Sequence, residues 1–372
     1  MRSRVRWLIT LVFSAALSAT ASGAGLDCLS CHPEKGDSTK VSVHASIGCA
    51  ACHSTIKAYP HPAQAAKVNC ATCHADPAAG VAASVHAHSS AQPCLNCHGN
   101  AHEILASSNP KSATYPQNLP RTCGECHDKQ QGNAPEVYSK YIDSIHGFAL
   151  TKDGLLVAAS CASCHGAHKI LSSQNPESRT NRAHIPETCG QCHGGPKTAY
   201  EAGIHGQMLA AGVDDAPVCT NCHTTHQISS MSEVGSQIKT AATCGGCHKD
   251  EYSTYGDTFH AQVSALGYKQ TARCWDCHGF HDILPPSDPK STVAQANLVK
   301  TCGKCHANAN ASFVGYDPHA DAHNAKKYPL LHIASIFMNL LLAGVLGFFA
   351  LHTILWFIRG HLSRLHPETG RS

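Results

Sequence analysis

Cys161-Ala162-Ser163-Cys164-His165, followed at once by Gly166-Ala167-His168-Lys169-Ile170, is the stretch around which the rest of the chain is organised. Two thiols three residues apart with a histidine directly after them form the attachment signature of c-type haem. Each cysteine adds across one vinyl group of the porphyrin, and the histidine becomes the proximal ligand of the iron. The pattern occurs eleven times and uses all 22 cysteines. The pairs are Cys28 and Cys31, Cys49 and Cys52, Cys70 and Cys73, Cys94 and Cys97, Cys123 and Cys126, Cys161 and Cys164, Cys189 and Cys192, Cys219 and Cys222, Cys244 and Cys247, Cys274 and Cys277, and Cys302 and Cys305. The histidines that follow are His32, His53, His74, His98, His127, His165, His193, His223, His248, His278 and His306. Zinc knuckles and disulfide frameworks also use paired cysteines, but neither demands the same histidine after every pair. Eleven covalently bound c-type haems are therefore expected.

Composition agrees. Of 372 residues, 14% are charged and 6% aromatic, and there are 29 glycines and 19 prolines. Long apolar runs lie only at the two ends, so the middle cannot bury a conventional side-chain core, and the porphyrins must supply one. Haem ligation then becomes folding free energy, as for structural metals. The expected fold is mainly α with much coil. It consists of short helices and loops wrapped on haems, elongated, plus one C-terminal transmembrane helix. The formal charge of +3 overstates basicity. Setting aside Arg2, Arg4, Arg6, Arg359, Arg364 and Arg371 takes the 28 basic residues to 22, and setting aside Glu368 takes the 25 acidic ones to 24. Haem propionates add negative charge, which argues against nucleic acid as a partner.

Residues 1–24 read as a signal peptide: three arginines, the apolar run Trp7 to Leu17, and Ala19-Thr20-Ala21 as a cleavage site. From Tyr328 to Ile358 no residue is charged, a length that exceeds the ~20 residues needed to cross a bilayer. The expected organisation is a signal peptide over 1–24, a periplasmic undecahaem domain over 25–327, a transmembrane helix over 328–358 and a cytoplasmic tail over 359–372. The expected location is the inner membrane, single-pass, because haems of this type are attached outside it.

The motifs alternate between two kinds. Thr122, Thr188, Thr243 and Thr301 open four that read Thr-Cys-Gly-x-Cys-His. The other kind is followed by His-x-Ile, at His102, His168, His226 and His281. Eight residues beyond these stand Pro110, Pro176, Val234 and Pro289, three of them within Asn/Asp-Pro-x-Ser, a turn or helix-start signal. Repeats thus start near residues 94, 161, 219 and 274. After each Thr-Cys-Gly motif comes another histidine: His146, His205, His260 and His319. In the N-terminal part His44 and His86 each stand twelve residues beyond a motif histidine, and His61 follows His53. Counting one follower per motif gives His44, His61, His86, His102, His146, His168, His205, His226, His260, His281 and His319 as the distal iron ligands. His323 and His88 are substitutes for His319 and His86, and His184 is a spare. Spacing gives this set without saying which iron each member meets. Imidazole at both axial positions implies low-potential haems.

The alternation of attachment motifs and free histidines resembles the multihaem cytochromes c, particularly those grouped with the class III cytochromes c, over about residues 28–323. That resemblance implies close-packed bis-histidine haems acting as an electron wire. A membrane-anchored form also resembles the quinol-dehydrogenase cytochromes that pass electrons from the quinone pool to exported reductases, although their small members carry an N-terminal anchor. The expected function is electron conduction between the quinone pool, through an integral-membrane partner that is cytochrome b-like or quinone-reactive, and periplasmic or outer-membrane acceptors in anaerobic respiration. No residue is assigned to bond-making, so whether the chain is itself an enzyme stays open. The alternative is a reductase of a small nitrogen or sulfur oxyanion with one open iron, expected near His61 or His319. His332 and His352 lie inside the apolar span, where intramembrane histidines are functional candidates. At 20 residues apart they face different directions, so interfacial placement is favoured over b-type haem or quinol binding.

Overall fold

The computed structural model describes residues 27–63, 66–128 and 136–365. The expected signal peptide, and residues 366–372 of the expected tail, lie outside the described residues. Among those described there is no strand, only short helices, 3-10 turns and coil, together with one long helix at the C-terminal end. This is the mainly α, coil-rich class that the composition predicts. The chain forms two compact units, divided between Thr122 and Cys123.

Both units are built from attachment motifs wound into single helical turns, and the two kinds of motif leave those turns differently. Motifs of the His-x-Ile kind occupy the helices Pro93–His98, Cys161–His165, Cys219–His223 and Cys274–His278. Each is terminated by one residue of positive φ: Gly99, Gly166, Thr224 or Gly279. With ψ near 180° these residues occupy a region that essentially only glycine enters, and Thr224 (φ 65°, ψ −169°) is the exception. In the second kind the motif histidine itself turns the chain. His193 and His248 of this kind, like His32 and His74 of the N-terminal motifs that belong to neither kind, have ψ between 53° and 63° and start the helices Gly194–Ala202, Lys249–Gly256, Pro33–Thr39 and Ala75–Ala82.

The second unit shows how one repeat grips the next. A tyrosine five residues before three of the follower histidines, His146, His205 and His260, sends its hydroxyl to the carbonyl two residues ahead of the next motif: Tyr141 to Ala159 (2.8 Å), Tyr200 to Pro217 (2.8 Å) and Tyr255 to Ala272 (2.9 Å). The follower sits in the first turn of a new helix, Ile145–Thr151, Ile204–Ala210 or Phe259–Ala265. Ser144 and Thr258 cap two of these through their hydroxyls. Gly203 starts the third because a Cβ there would lie 2.6 Å from the His281 carbonyl oxygen. The backbone N–H before the follower then donates to the isoleucine of a later His-x-Ile: Ile145 to Ile228 (2.8 Å) and Ile204 to Ile283 (2.7 Å). The first unit repeats the device, with Val43 donating to Ile104 at 2.8 Å.

The Asn/Asp-Pro-x-Ser segments are turns, not helix starts. Ser112, Ser178 and Ser291 are buried and donate to the carbonyls of Leu105, Leu171 and Leu284. Thr122, Thr188 and Thr301 reach back nine residues to Ala113, Arg179 and Thr292. The third repeat departs from its sisters where Val234 replaces proline. Only nine residues separate Val234 from Thr243 where the sisters have twelve; here helix runs uninterrupted over Val234–Cys247, and Thr243 bonds only Lys239 within that helix.

Side chains supply little core. Among the described residues the buried apolar ones are Tyr141, Leu150, Tyr200, Ala216, Val218, Ala241, Ala294 and Val314, most of them small or half-polar. The C-terminal helix, Pro329–Leu365, opens on proline at its first position and continues past the expected boundary at 358 through Arg359. Within Pro329–Leu362 an 18-residue stretch has a mean hydropathy of 2.2 and none of that stretch is buried, and the helix is long and apolar enough to cross a membrane.

Candidate functional site: paired imidazoles at the attachment motifs

Nine motif histidines each face one of the histidines predicted as distal ligands. The pairs are His32 with His61, His53 with His102 and His74 with His44 in the first unit. In the second unit they are His165 with His226, His193 with His146, His223 with His281, His248 with His205, His278 with His319 and His306 with His260. Ring centroids are separated by 5.9 to 6.3 Å in every case. The two remaining motif histidines, His98 and His127, and the two remaining followers, His86 and His168, take part in interactions of their own.

The pairing obeys a rule that spacing alone does not reveal. Numbering the motifs along the chain, the odd ones 3, 7, 9 and 11 face the follower of the motif two earlier: His44, His146, His205 and His260. The even ones 2, 6 and 8 face the follower of the motif two later: His102, His226 and His281. The first and tenth sites depart from it. His32 meets His61, borrowed from the adjacent second motif, and His278 meets His319, which follows the eleventh.

These separations suit an iron between the rings. An imidazole nitrogen lies ~2 Å from the metal it binds and ~1.1 Å from its own ring centre, so two rings on one ion stand ~6 Å apart. Among the described residues no group of three or more His, Cys, Asp and Glu is arranged to hold a bare ion. Each pair offers two ligands, which a porphyrin's four nitrogens would complete. A cleft of about 400 Å³ opens beside the first pair, lined by Ser30, Cys31, His32, Tyr59, Pro60 and His61. Cys31 and both imidazoles therefore share one cavity, as a planar group attached there would require.

Burial disfavours the charged form of several of these rings. Burial, and then the facing imidazole, lowers the pKa of His146, His205, His260 and His278. His223 and His102 are lowered in the same direction, first by burial. His226 is lowered by burial and by the nearby Lys140. Nδ1 of His319 lies 3.1 Å from the Glu251 carbonyl and 3.1 Å from the Thr254 hydroxyl, which orients its other nitrogen toward His278. His61 holds the Pro62 carbonyl at 2.9 Å. Such second contacts set the orientation of a ligating imidazole.

Consecutive motifs adjoin. The first thiols of Cys28 and Cys49, Cys70 and Cys94, Cys123 and Cys161, Cys189 and Cys219, and Cys244 and Cys274 are in hydrogen-bond reach of one another. The bond from Cys274 brings the Cys244 thiol down to about 7, while Cys274 is driven up. Between these couples, burial and then the first thiol of the next motif raise Cys164, Cys222 and Cys277. Within each unit, motifs that are neighbours in sequence are therefore neighbours in space.

The other histidines fall outside the pairs. His88 and His323 are exposed. His184 holds the Pro176 carbonyl at 2.9 Å, so the expected spare has a local structural role. His332 bonds the Ala322 carbonyl at 2.8 Å, and His352 packs against Phe348. Sequence reasoning missed Tyr141, Tyr200 and Tyr255, although each stands five residues before a follower histidine and could have been found by that offset.

In sequence the chain is similar to the cytochrome c-type protein NrfB of Escherichia coli O6:H1 (strain CFT073). Identity is 26% over 150 residues, 36% of this chain and 71% of the relative. No family model and no solved structure matches.

Proposed function

We propose that this chain is a membrane-anchored multihaem c-type cytochrome that conducts electrons along eleven bis-histidine haems. The carrying observation is the set of nine motif histidines that each face a second imidazole at about 6 Å, on motifs that adjoin in sequence order. Likeness to a cytochrome c-type protein supports the cofactor reading. When bound, each haem supplies a one-electron couple, and no bond-making residue is needed. The chain's own part is to hold each iron between two neutral imidazoles, which favours low potentials and leaves no coordination position for substrate. Within each unit the followers tie haems of different repeats together, so little reorganisation accompanies transfer there. The helix Pro329–Leu362 anchors this array in the inner membrane, with the haems in the periplasm. There it exchanges electrons with the quinone pool through an integral-membrane partner and passes them to periplasmic redox proteins. The test is a haem count with low-temperature EPR on the oxidised protein. Eleven low-spin haems indifferent to nitrite, hydroxylamine and cyanide are expected. A high-spin haem that binds these molecules would instead make the chain a reductase with an attached wire.

A further inference from the structure

The tenth site is unlike its sisters in two ways. Its distal residue His319 belongs to the segment that leads directly into the membrane helix. Asp317 accepts the N–H of His319 at 2.9 Å and the hydroxyl of Tyr328 at 2.5 Å, and His332 in the first turn of that helix holds Ala322. Membrane helix and tenth site are thus clamped together. The residue ahead of its first cysteine is also charged. In the sister motifs that place is Pro93, Ser160 or Val218, and here it is Arg273.

Arg273 is only 3% exposed. Its Nη1 and Nη2 donate to the carbonyls of Lys269 (3.3 Å) and Tyr268 (3.2 Å), its guanidinium lies 6.0 Å from the centre of the Trp275 ring, and its Nε is buried with no partner. Carbonyl oxygens and an aromatic face solvate the cation without neutralising it. The nearest acid in the motif, Asp276, uses Oδ2 to accept the Arg273 backbone N–H at 2.7 Å and is exposed. Water therefore screens the negative charge and leaves the positive one largely unscreened. The orphaned Nε–H is free to take an anionic oxygen such as a porphyrin carboxylate.

We infer that Arg273 raises the reduction potential of the tenth haem above those of the sixth and eighth, making the site clamped to the membrane helix the preferred seat for an electron. The inference rests on the haem reading above. At an effective dielectric of ~20, a unit charge ~10 Å away shifts a one-electron equilibrium on the order of tenfold, or about 59 mV.

The test is spectroelectrochemical titration of the full-length, membrane-solubilised protein. His319→Ala, His281→Ala and His226→Ala each take one haem out of the low-spin set, identifying the components of sites ten, eight and six. In the otherwise unaltered protein the component assigned to site ten should have the highest midpoint of the three, a comparison that needs no Arg273 variant. Arg273→Gln should lower that component by about tenfold in equilibrium constant, and Arg273→Lys should restore most of it. Equal midpoints at the three sites, a shift in another component, or a Lys variant as low as Gln would each overturn the inference. An absent haem spectrum would refute the underlying reading instead.

Discussion

The interior repeats and the two irregular sites solve the same problem by different means. In the interior a motif takes its second imidazole from two motifs away, so His165 meets His226 and His248 meets His205. Each haem would then staple separate stretches of chain. At the first and tenth sites the array runs out, and the second imidazole is drafted from a local loop: His61 between Pro60 and Pro62, or His319 ahead of the membrane helix. An interior ligand therefore joins repeats to one another, whereas an end ligand joins its motif to a flanking loop.

The hardest way to break the comparison is to withhold haem altogether. With Leu150 the one large aliphatic residue buried among those described, chain entropy has almost nothing to oppose it. Protein expressed without haem attachment should lose most of its helical circular dichroism outside the membrane helix. A native-like spectrum would show that side chains suffice.

Next in size is the contrast between His226→Ala and His61→Ala. Both should convert one low-spin haem to high-spin. The interior change should also destabilise the second unit by about 3 kcal/mol, as breaking a buried polar pairing does. The end change should cost under ~1 kcal/mol, typical of a substitution away from packed features. Equal losses in urea denaturation would erase the distinction.

Gly203→Ala sharpens the same point through the backbone. The added methyl would lie 2.6 Å from the His281 carbonyl and would push apart the strands of chain joined by the Ile204 to Ile283 bond. A loss of about 2 kcal/mol is expected, of the order for overpacking plus a broken hydrogen bond. A melting temperature unchanged from the parent would contradict that close approach.

The smallest effect has the opposite sign. Thr224 holds a conformation that Gly99, Gly166 and Gly279 occupy in the sister motifs. Thr224→Gly relieves strain of order 1 kcal/mol, less whatever the bond from its hydroxyl to the Gln227 carbonyl contributes. A small rise in stability is expected, and a fall would mean that this bond outweighs the strain.

The attachment residues were legible because their chemistry is covalent and local: two thiols and an imidazole must fall within five residues. The followers were legible as a set, since they recur at fixed offsets such as the twelve residues from His193 to His205 and from His248 to His260. Even the odd loop of the third repeat was marked, by nine residues from Val234 to Thr243 where its sisters have twelve. The conformations after His165 and His193 were hidden, because a glycine beyond the motif follows both while only Gly166 adopts positive φ.

The sequence by itself determined the attachment points, the pool of second imidazoles and the apolar helix, because each is written in spacing or composition. Tertiary structure alone decided which imidazoles meet. A fixed offset is the same for every follower and carries no address. The partner is chosen when Ile145 or Ile204 bonds a later isoleucine and sets the adjoining histidine opposite one particular motif. The departures at the first and tenth sites have the same cause, since a rule that reaches two motifs away has no one to reach where the repeats stop.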